Sequence, residues 1–323
     1  MGQAAHYSTG IPRNVPWRKE MDNMRPRSLQ TVAIMSPGDM GHAVGAVLRQ
    51  GGLRVITCLE GRGQRTATLA EQAGIESVAD MGTLVSQADV LLSILPPGQA
   101  VSLSTRVAEA LRATESALLY VDCNAVSPQT VRAIGDIVTS AGGRFVDAGI
   151  IGGPPAPGRT GTRIYASGEE TGVFAGLREH GLDVRVIGDE IGQASGLKMC
   201  YAALTKGLTA LAVELLTAAK VMGLEEPLRA ELRDSQSTLL GLLERSIPSM
   251  PPKAYRWVAE MEEIAATFAA VGLTPKMHQG AADIYRYVGT TQLARETPEA
   301  RRRGTSLDEV VGVLAEALHD LSS

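Results

Sequence analysis

The stretch Thr31-Val32-Ala33-Ile34-Met35-Ser36-Pro37-Gly38-Asp39-Met40-Gly41 decides how this chain is read. Its first five residues, almost wholly apolar, predict a strand buried on both faces, as in a parallel sheet. A turn with glycines at 38 and 41 follows directly, and helical spacing takes over from Gly41 to Arg49. In a strand–turn–helix of this kind, unpaired N–H groups and the dipole at the helix start receive a phosphate. Gly38 admits a pyrophosphate close to the backbone, and Gly41 lets the helix pack tightly on the strand. Ser36, followed by Pro37, stands where the first glycine of such turns is usual, so the motif draws its weight from the frame around it. Ser36, Pro37, Gly38, Asp39, Met40 and Gly41 are the expected cofactor-holding turn.

Outward from this turn, short apolar runs alternate with helical stretches. Strands are predicted at 31–35, 54–58, 90–94, 118–122 and 144–147, with helices at 41–49, 65–73, 99–113 and 128–141 between them. A further pair of strands, 163–167 and 184–187, flanks a helix over 169–180 and extends the sheet. Such alternation predicts a doubly wound parallel sheet of Rossmann type, with right-handed crossovers. After Gly192 no strand pattern survives. One long apolar stretch, 194–222, is followed by helices at 227–245, 253–271, 275–288 and 306–321. The expected organisation is a polar N-terminal tail (1–30), a dinucleotide-binding α/β domain (31–190) and an all-helical substrate and dimerisation domain (191–323).

The second strand ends at Cys58-Leu59-Glu60-Gly61-Arg62, with Arg65 just beyond. Glu60 lies about where an acidic side chain holds the ribose 2′-hydroxyl of NAD. Arg62 and Arg65 instead suit the 2′-phosphate of NADP, which guanidinium geometry matches. The reading leans to NADP, with NAD the alternative.

Composition narrows the classes. A net charge of −4 and the absence of any basic run except Arg301-Arg302-Arg303 argue against a nucleic-acid partner. Three cysteines (Cys58, Cys123, Cys200) in apolar surroundings, without metal-ligand spacing, fit free buried thiols in the cytoplasm. No His/Asp/Glu cluster has metal spacing, so no metal is expected. The N-terminus lacks the apolar run of a signal peptide, and His6 breaks the myristoylation pattern. No apolar stretch reads as long enough to span a bilayer, so no membrane is expected.

Four segments together resemble the β-hydroxyacid dehydrogenases, relatives of 6-phosphogluconate dehydrogenase. They are Gly38-Asp39-Met40-Gly41; Leu95-Pro96-Pro97; Val121-Asp122-Cys123-Asn124 through Pro128 and on to Asp147-Ala148-Gly149-Ile150-Ile151-Gly152-Gly153; and Gly192 through Lys198. The helical half is similar to a divergent subgroup whose C-terminal domain has no defined function. The resemblance implies an NAD(P)-dependent oxidoreductase with a small hydroxyacid-like or carbonyl substrate, and a homodimer through the helical domain. It implies Leu95, Pro96, Pro97 and Asn124 at the cofactor. It also implies Asn124, Ile151, Gly152 and Gly153 around the substrate, and Lys198 as general acid/base. A lysine whose pKa is depressed in a cleft can pass a proton to or from a carbinol oxygen near neutral pH. Two positions depart from the family: Ile151 replaces a serine, and Ala202 replaces an asparagine one turn after the lysine. Tyr201, at i+3 from Lys198, is a candidate replacement hydroxyl. An imine reductase-type activity and a non-catalytic dinucleotide sensor stay open as alternatives.

Four other residues have expected roles. Arg256 and Glu260, at i and i+4, are expected to form an exposed ion pair, with the cleft or a subunit interface as the alternative. Lys206 is expected to be structural. His278 is expected to pack rather than ligate.

Overall fold

The computed structural model describes residues 29–156, 161–297 and 300–322. The N-terminal tail, 1–28, lies outside the described residues. Among the described residues, eight strands form one sheet in the order β3-β2-β1-β4-β5-β6-β7-β8. They are β1 (Thr31–Met35), β2 (Arg54–Cys58), β3 (Glu76–Val78), β4 (Val90–Ser93), β5 (Leu119–Asp122), β6 (Arg144–Ile151), β7 (Arg163–Ser167) and β8 (Val184–Gly188). Every neighbouring pair runs parallel except β6 and β7, which are antiparallel from Asp147 opposite Ser167 to Ile151 opposite Arg163. The order reverses at β1, between β2 and β4. A crevice opens at such a point, at the carboxyl ends of the strands, and the glycine turn sits there.

Helices α1 (Asp39–Gln50), α2 (Gln64–Gln72), α3 (Met81–Gln87), α4 (Ala100–Thr114), α5 (Pro128–Thr139) and the short α6 (Thr171–Ala175) accompany the strands. The apolar strand residues point alternately into two cores. One holds Val32, Ile34, Val44, Leu48 and Phe174; the other holds Ala33, Met35, Leu103, Val107 and Ile134. Two covered faces explain why the strands read as continuous apolar runs. At the outer edge, β8 departs from this pattern, with Val186 and Ile187 over 40% exposed. β3 and α3 carry no pattern strong enough to be read in the sequence. β6 is longer than expected, because it continues past Asp147 to pair with β7.

The helical half is built from α7 (Gln193–Val221), α8 (Glu225–Ser235), α9 (Ser237–Ser246), α10 (Ala254–Ala270), α11 (Lys276–Thr290) and α12 (Leu307–Ser322). The single helix expected over 227–245 is two, because Gln236 leaves helical geometry with φ −137° and ψ 38°. By length and composition α7 is apolar enough to cross a bilayer, contrary to the sequence expectation. It packs on β6, α10, α11 and α12, with Met199, Ala210, Val213 and Leu216 in the core of the helical half.

Candidate functional site

The glycine turn has the geometry its sequence demands. A Cβ on Gly41 would collide with the Ser36 carbonyl oxygen, so only glycine lets α1 rise this close to β1. Among the described residues, a Cβ on Gly38 would meet nothing within 4 Å, so they leave the approach to the turn open. Gly38 is also the N-cap and offers no side-chain acceptor. The first N–H groups of α1 therefore have no side-chain cap, which is the condition for binding an anion there. These features fit a dinucleotide's pyrophosphate.

Asp39, the first residue of α1, is held from two sides. Its carboxylate forms ion pairs with Arg65 on α2 and, at 3.2 Å, with Arg256 on α10. Burial raises its pKa, but the two guanidiniums outweigh that and hold the carboxyl below its ordinary range. At the end of β2, Glu60 is exposed and paired with Arg106 at 3.0 Å. Arg62 is half-buried and donates to Gln99 Oε1 at 3.0 Å, beside the Pro97–Gln99 turn.

The ends of β4 and β5 are joined through Asn124. Its Oδ1 accepts from the Leu95 N–H at 2.6 Å. Its Nδ2 donates to Ser93 Oγ and to Asp122 Oδ2, both at 2.8 Å. With only 2% of its surface exposed, the Asn124 side chain is committed to holding the Leu95-Pro96-Pro97 loop. Asp122, fully buried, has its carboxyl pushed up to about 7 by burial, against the bonds from Asn124 and with Asp147 and Glu263 adding to the rise.

Lys198 stands over the end of β6. The two backbones come close because residue 149 is glycine: a Cβ there would lie 2.9 Å from the Lys198 Cβ and 3.0 Å from the Ala194 oxygen. The half-buried Lys198 Nζ donates to the Ile150 carbonyl oxygen at 2.6 Å. Burial lowers its pKa to about 8. Ile151 is buried beside it. Gly152, at φ +114°, is packed against Gly161 and Thr162, and among the described residues nothing lies within 4 Å of a Cβ built on Gly153. Tyr201 is 44% exposed, in a stripe of exposed residues with Leu197 and Leu204, and no hydrogen bond joins its hydroxyl to Lys198.

Several residues that build the site were not singled out in the sequence. Asp147, fully buried, accepts from the N–H groups of Gly192 (2.8 Å) and Ser195 (3.0 Å), from Ser195 Oγ (2.6 Å) and from Ser167 Oγ (3.1 Å). It thereby ties the start of α7, and so Lys198, to the sheet. Glu263 on α10 accepts from the Ser127 N–H at 2.7 Å and from Thr130 Oγ1 at 2.9 Å, crossing from the helical half to the start of α5. An acid standing alone in a buried apolar strand was the available signal for Asp147. Nothing local marks Glu263.

Arg256 and Glu260 do not pair with each other, as expected of an exposed i,i+4 pair. Arg256 reaches Asp39, while the buried Glu260 pairs with Lys206 on α7, whose amine lies 5.2 Å from the Trp257 ring centre. His278 packs on Phe268. Cys58 and Cys123 are buried, but Cys200 is exposed, because it lies on the outer side of α7. Among the described residues, no group of three His, Cys, Asp or Glu could hold a metal ion.

Comparison with known proteins agrees with this geometry. Residues 31–178 match the NAD binding domain of 6-phosphogluconate dehydrogenase, and residues 219–288 match a domain of unknown function, DUF1932. The chain is 32% identical to the conserved protein MTH1747, a protein of unknown function with structural similarity to 3-hydroxyacid dehydrogenases. That match covers 80% of this chain and 96% of MTH1747, at a TM-score of 0.59. An uncharacterized 28.5 kDa protein of Methanothermus fervidus is 29% identical over 184 residues, 57% of this chain and 69% of that protein. The fold is shared with the 3-hydroxyisobutyrate dehydrogenase of Mycobacterium tuberculosis, at 20% identity and a TM-score of 0.61 over 91% of this chain and all of that one. The chain belongs to the 6-phosphogluconate dehydrogenase-like family of NAD(P)-binding proteins, in the group whose helical half carries the domain of unknown function.

Proposed function

We propose that this chain is an NADP-preferring oxidoreductase acting on a small hydroxyacid-like or carbonyl substrate, with Lys198 as its general acid/base. One observation carries the reading: an amine with a pKa near 8 is tethered at 2.6 Å to the Ile150 carbonyl, at the end of the strand that leads into Gly152 and Gly153. An amine tuned this close to neutral pH exchanges a proton in either direction with little driving force lost. When bound, a nicotinamide cofactor supplies or accepts the hydride. Ser36 to Gly41 hold the pyrophosphate on the N-terminus of α1, and Leu95 to Pro97, fixed by Asn124, line the nicotinamide side. Gly153, whose carbonyl accepts from Thr162 Oγ1 at 2.6 Å, offers its N–H to the substrate.

The preference for NADP rests on charge at the end of β2. Glu60 is paired with Arg106 and Arg65 with Asp39, while Arg62 is bonded to the neutral Gln99 and so keeps its charge for a 2′-phosphate. The exposed residues Leu197, Leu204 and Leu211, seven apart on α7, support a homodimer packed along that helix. Free thiols at all three cysteines fit the cytoplasm.

A non-catalytic dinucleotide sensor is favoured by one observation: Ile151 is buried and apolar, and the Asn124 side chain is fully engaged, so few polar groups are left to grip a substrate. A turnover screen of hydroxyacids, semialdehydes and imines with NADPH and NADH separates the readings. Reduction or oxidation that Lys198→Ala abolishes supports the enzyme. Equal turnover by wild type and Lys198→Ala would sink the assignment of Lys198, and NADPH binding without turnover across the screen favours the sensor.

A further inference from the structure

One face of α10 touches three separate elements. Arg256 reaches Asp39 on α1, Glu260 reaches Lys206 on α7, and Glu263 reaches Ser127 and Thr130 at the start of α5. The third contact falls on a short loop, 123–127, that both halves of the molecule hold. From the sheet side, Asn124 binds this loop to Ser93, Asp122 and the Leu95 N–H. From the helical side, Ala125 packs against the helical core, and Glu263 takes the Ser127 N–H. The same carboxylate oxygen accepts from Thr130 Oγ1, so it fixes loop and helix start together. Ser127 Oγ in turn caps the Thr130 N–H at 3.2 Å.

A continuous chain of bonds therefore runs from a carboxylate in the domain of unknown function to the backbone of Leu95. We propose that Glu263 is a positioning residue. Held on α10, it sets the height of the 123–127 loop and, through Asn124, that of the Leu95-Pro96-Pro97 loop on the nicotinamide side of the crevice. This rests on the reading of the chain as a dinucleotide-dependent oxidoreductase. The phosphates and the adenosine end are held elsewhere, by the glycine turn and by Arg62 and Arg65. Loss of Glu263 therefore leaves affinity in place and loosens the reactive end. What Ser127 and Thr130 require is an acceptor oxygen, and glutamine keeps one.

Two measurements on the full chain test this. The first is hydrogen–deuterium exchange without ligand. In Glu263→Ala, the amides of 93–95, 124–127 and 129–131 exchange at least tenfold faster than in wild type, those of β1 and α1 are unchanged, and Glu263→Gln lies near wild type. Unchanged exchange over 93–95 overturns the linkage. The second is NADPH titration by nicotinamide fluorescence. Glu263→Ala binds within about threefold of the wild-type Kd but loses at least half of the emission change on binding, and Glu263→Gln restores it. An unaltered emission change in Glu263→Ala, or Glu263→Gln no better than Glu263→Ala, overturns the positioning role. Wild type that binds no NADPH overturns the oxidoreductase reading instead, and the exchange data still decide whether Glu263 controls the two loops.

Discussion

Asp39 and Arg256 lie 217 residues apart in sequence and meet at 3.2 Å, joining the glycine turn to the helical half. The carboxylate sits at the N-terminus of α1, where the helix dipole favours a negative charge, and Arg65 completes its surround. An anion thus already occupies the neighbourhood in which a dinucleotide's phosphates are expected.

Arg256→Ala should cost a modest amount, about 1 kcal/mol, because the pair is only partly shielded from solvent. For a chain of this size that is a fall of roughly 2 °C in melting temperature. Asp39 titrates below the ordinary carboxylate value in the folded state, so its contribution is present above that ordinary value and is lost as pH falls through the depressed one. Melting curves of wild type and Arg256→Ala should therefore converge in strong acid. A gap that widens on acidification would contradict the assignment.

Lys198→Met should abolish turnover yet raise stability at neutral pH. A pKa lowered from 10.5 to about 8 by burial corresponds to at most ~3 kcal/mol of strain on the charged form, and the bond to Ile150 together with partial exposure reduces this to roughly 1 to 2 kcal/mol. The unfolded chain keeps its proton up to the higher pKa, so wild type recovers this loss as pH climbs from 8 to 10.5. The advantage of Lys198→Met is full below pH 8 and gone above about 10.5. Thermal melts across that range measure it, and an advantage independent of pH would mean that packing alone is responsible.

The two glycines of the turn should respond differently to alanine. Gly41→Ala places a methyl group on the Ser36 carbonyl oxygen and should cost on the order of 1–3 kcal/mol. Gly38→Ala meets no neighbour, so the fold should tolerate it, while NADPH affinity falls at least tenfold because the methyl group narrows the approach to the helix start. Chemical denaturation and fluorescence titration, done in parallel, separate the two effects.

Leu204→Glu, at 67% exposure, should leave the monomer's stability within about 0.5 kcal/mol, as an exposed substitution does. Paired with Leu211→Glu, it places two charges on the outward stripe of α7 and should convert a dimer into a monomer. Light scattering at several protein concentrations reads this directly. A double variant that elutes with the wild-type mass would remove α7 from the interface.

Much of the α/β half was legible because its information is local. Strands β1, β2 and β7 begin and end at the expected residues, since most of their positions are buried and apolar. β3 was not legible because Glu76-Ser77-Val78 is a short, largely exposed edge strand that pairs with β2 alone. The break at Gln236 was missed for a related reason, since helical spacing continues across it.

Partners distant in sequence could not be read in this way. Arg256 and Glu260 have the spacing of an ion pair on one helix, and the packing of α10 against α1, α5 and α7 sends them to Asp39 and Lys206 instead. Local order predicted Lys198 at the start of a long helix. Its bond to Ile150 and its lowered pKa come from the close approach of α7 to β6 at Gly149 and from the Asp147 carboxylate that anchors the helix. The sequence by itself determined the glycine turn, the two-part architecture and the dinucleotide chemistry, because periodicity, glycine placement and strand–helix order act over a few residues. Only the tertiary structure decided that the Asn124 side chain is spent on the Leu95 loop, that Tyr201 is exposed, and that Glu263 joins the halves. Hydrogen-bond partners and burial depend on which elements meet in space, and no local pattern encodes that.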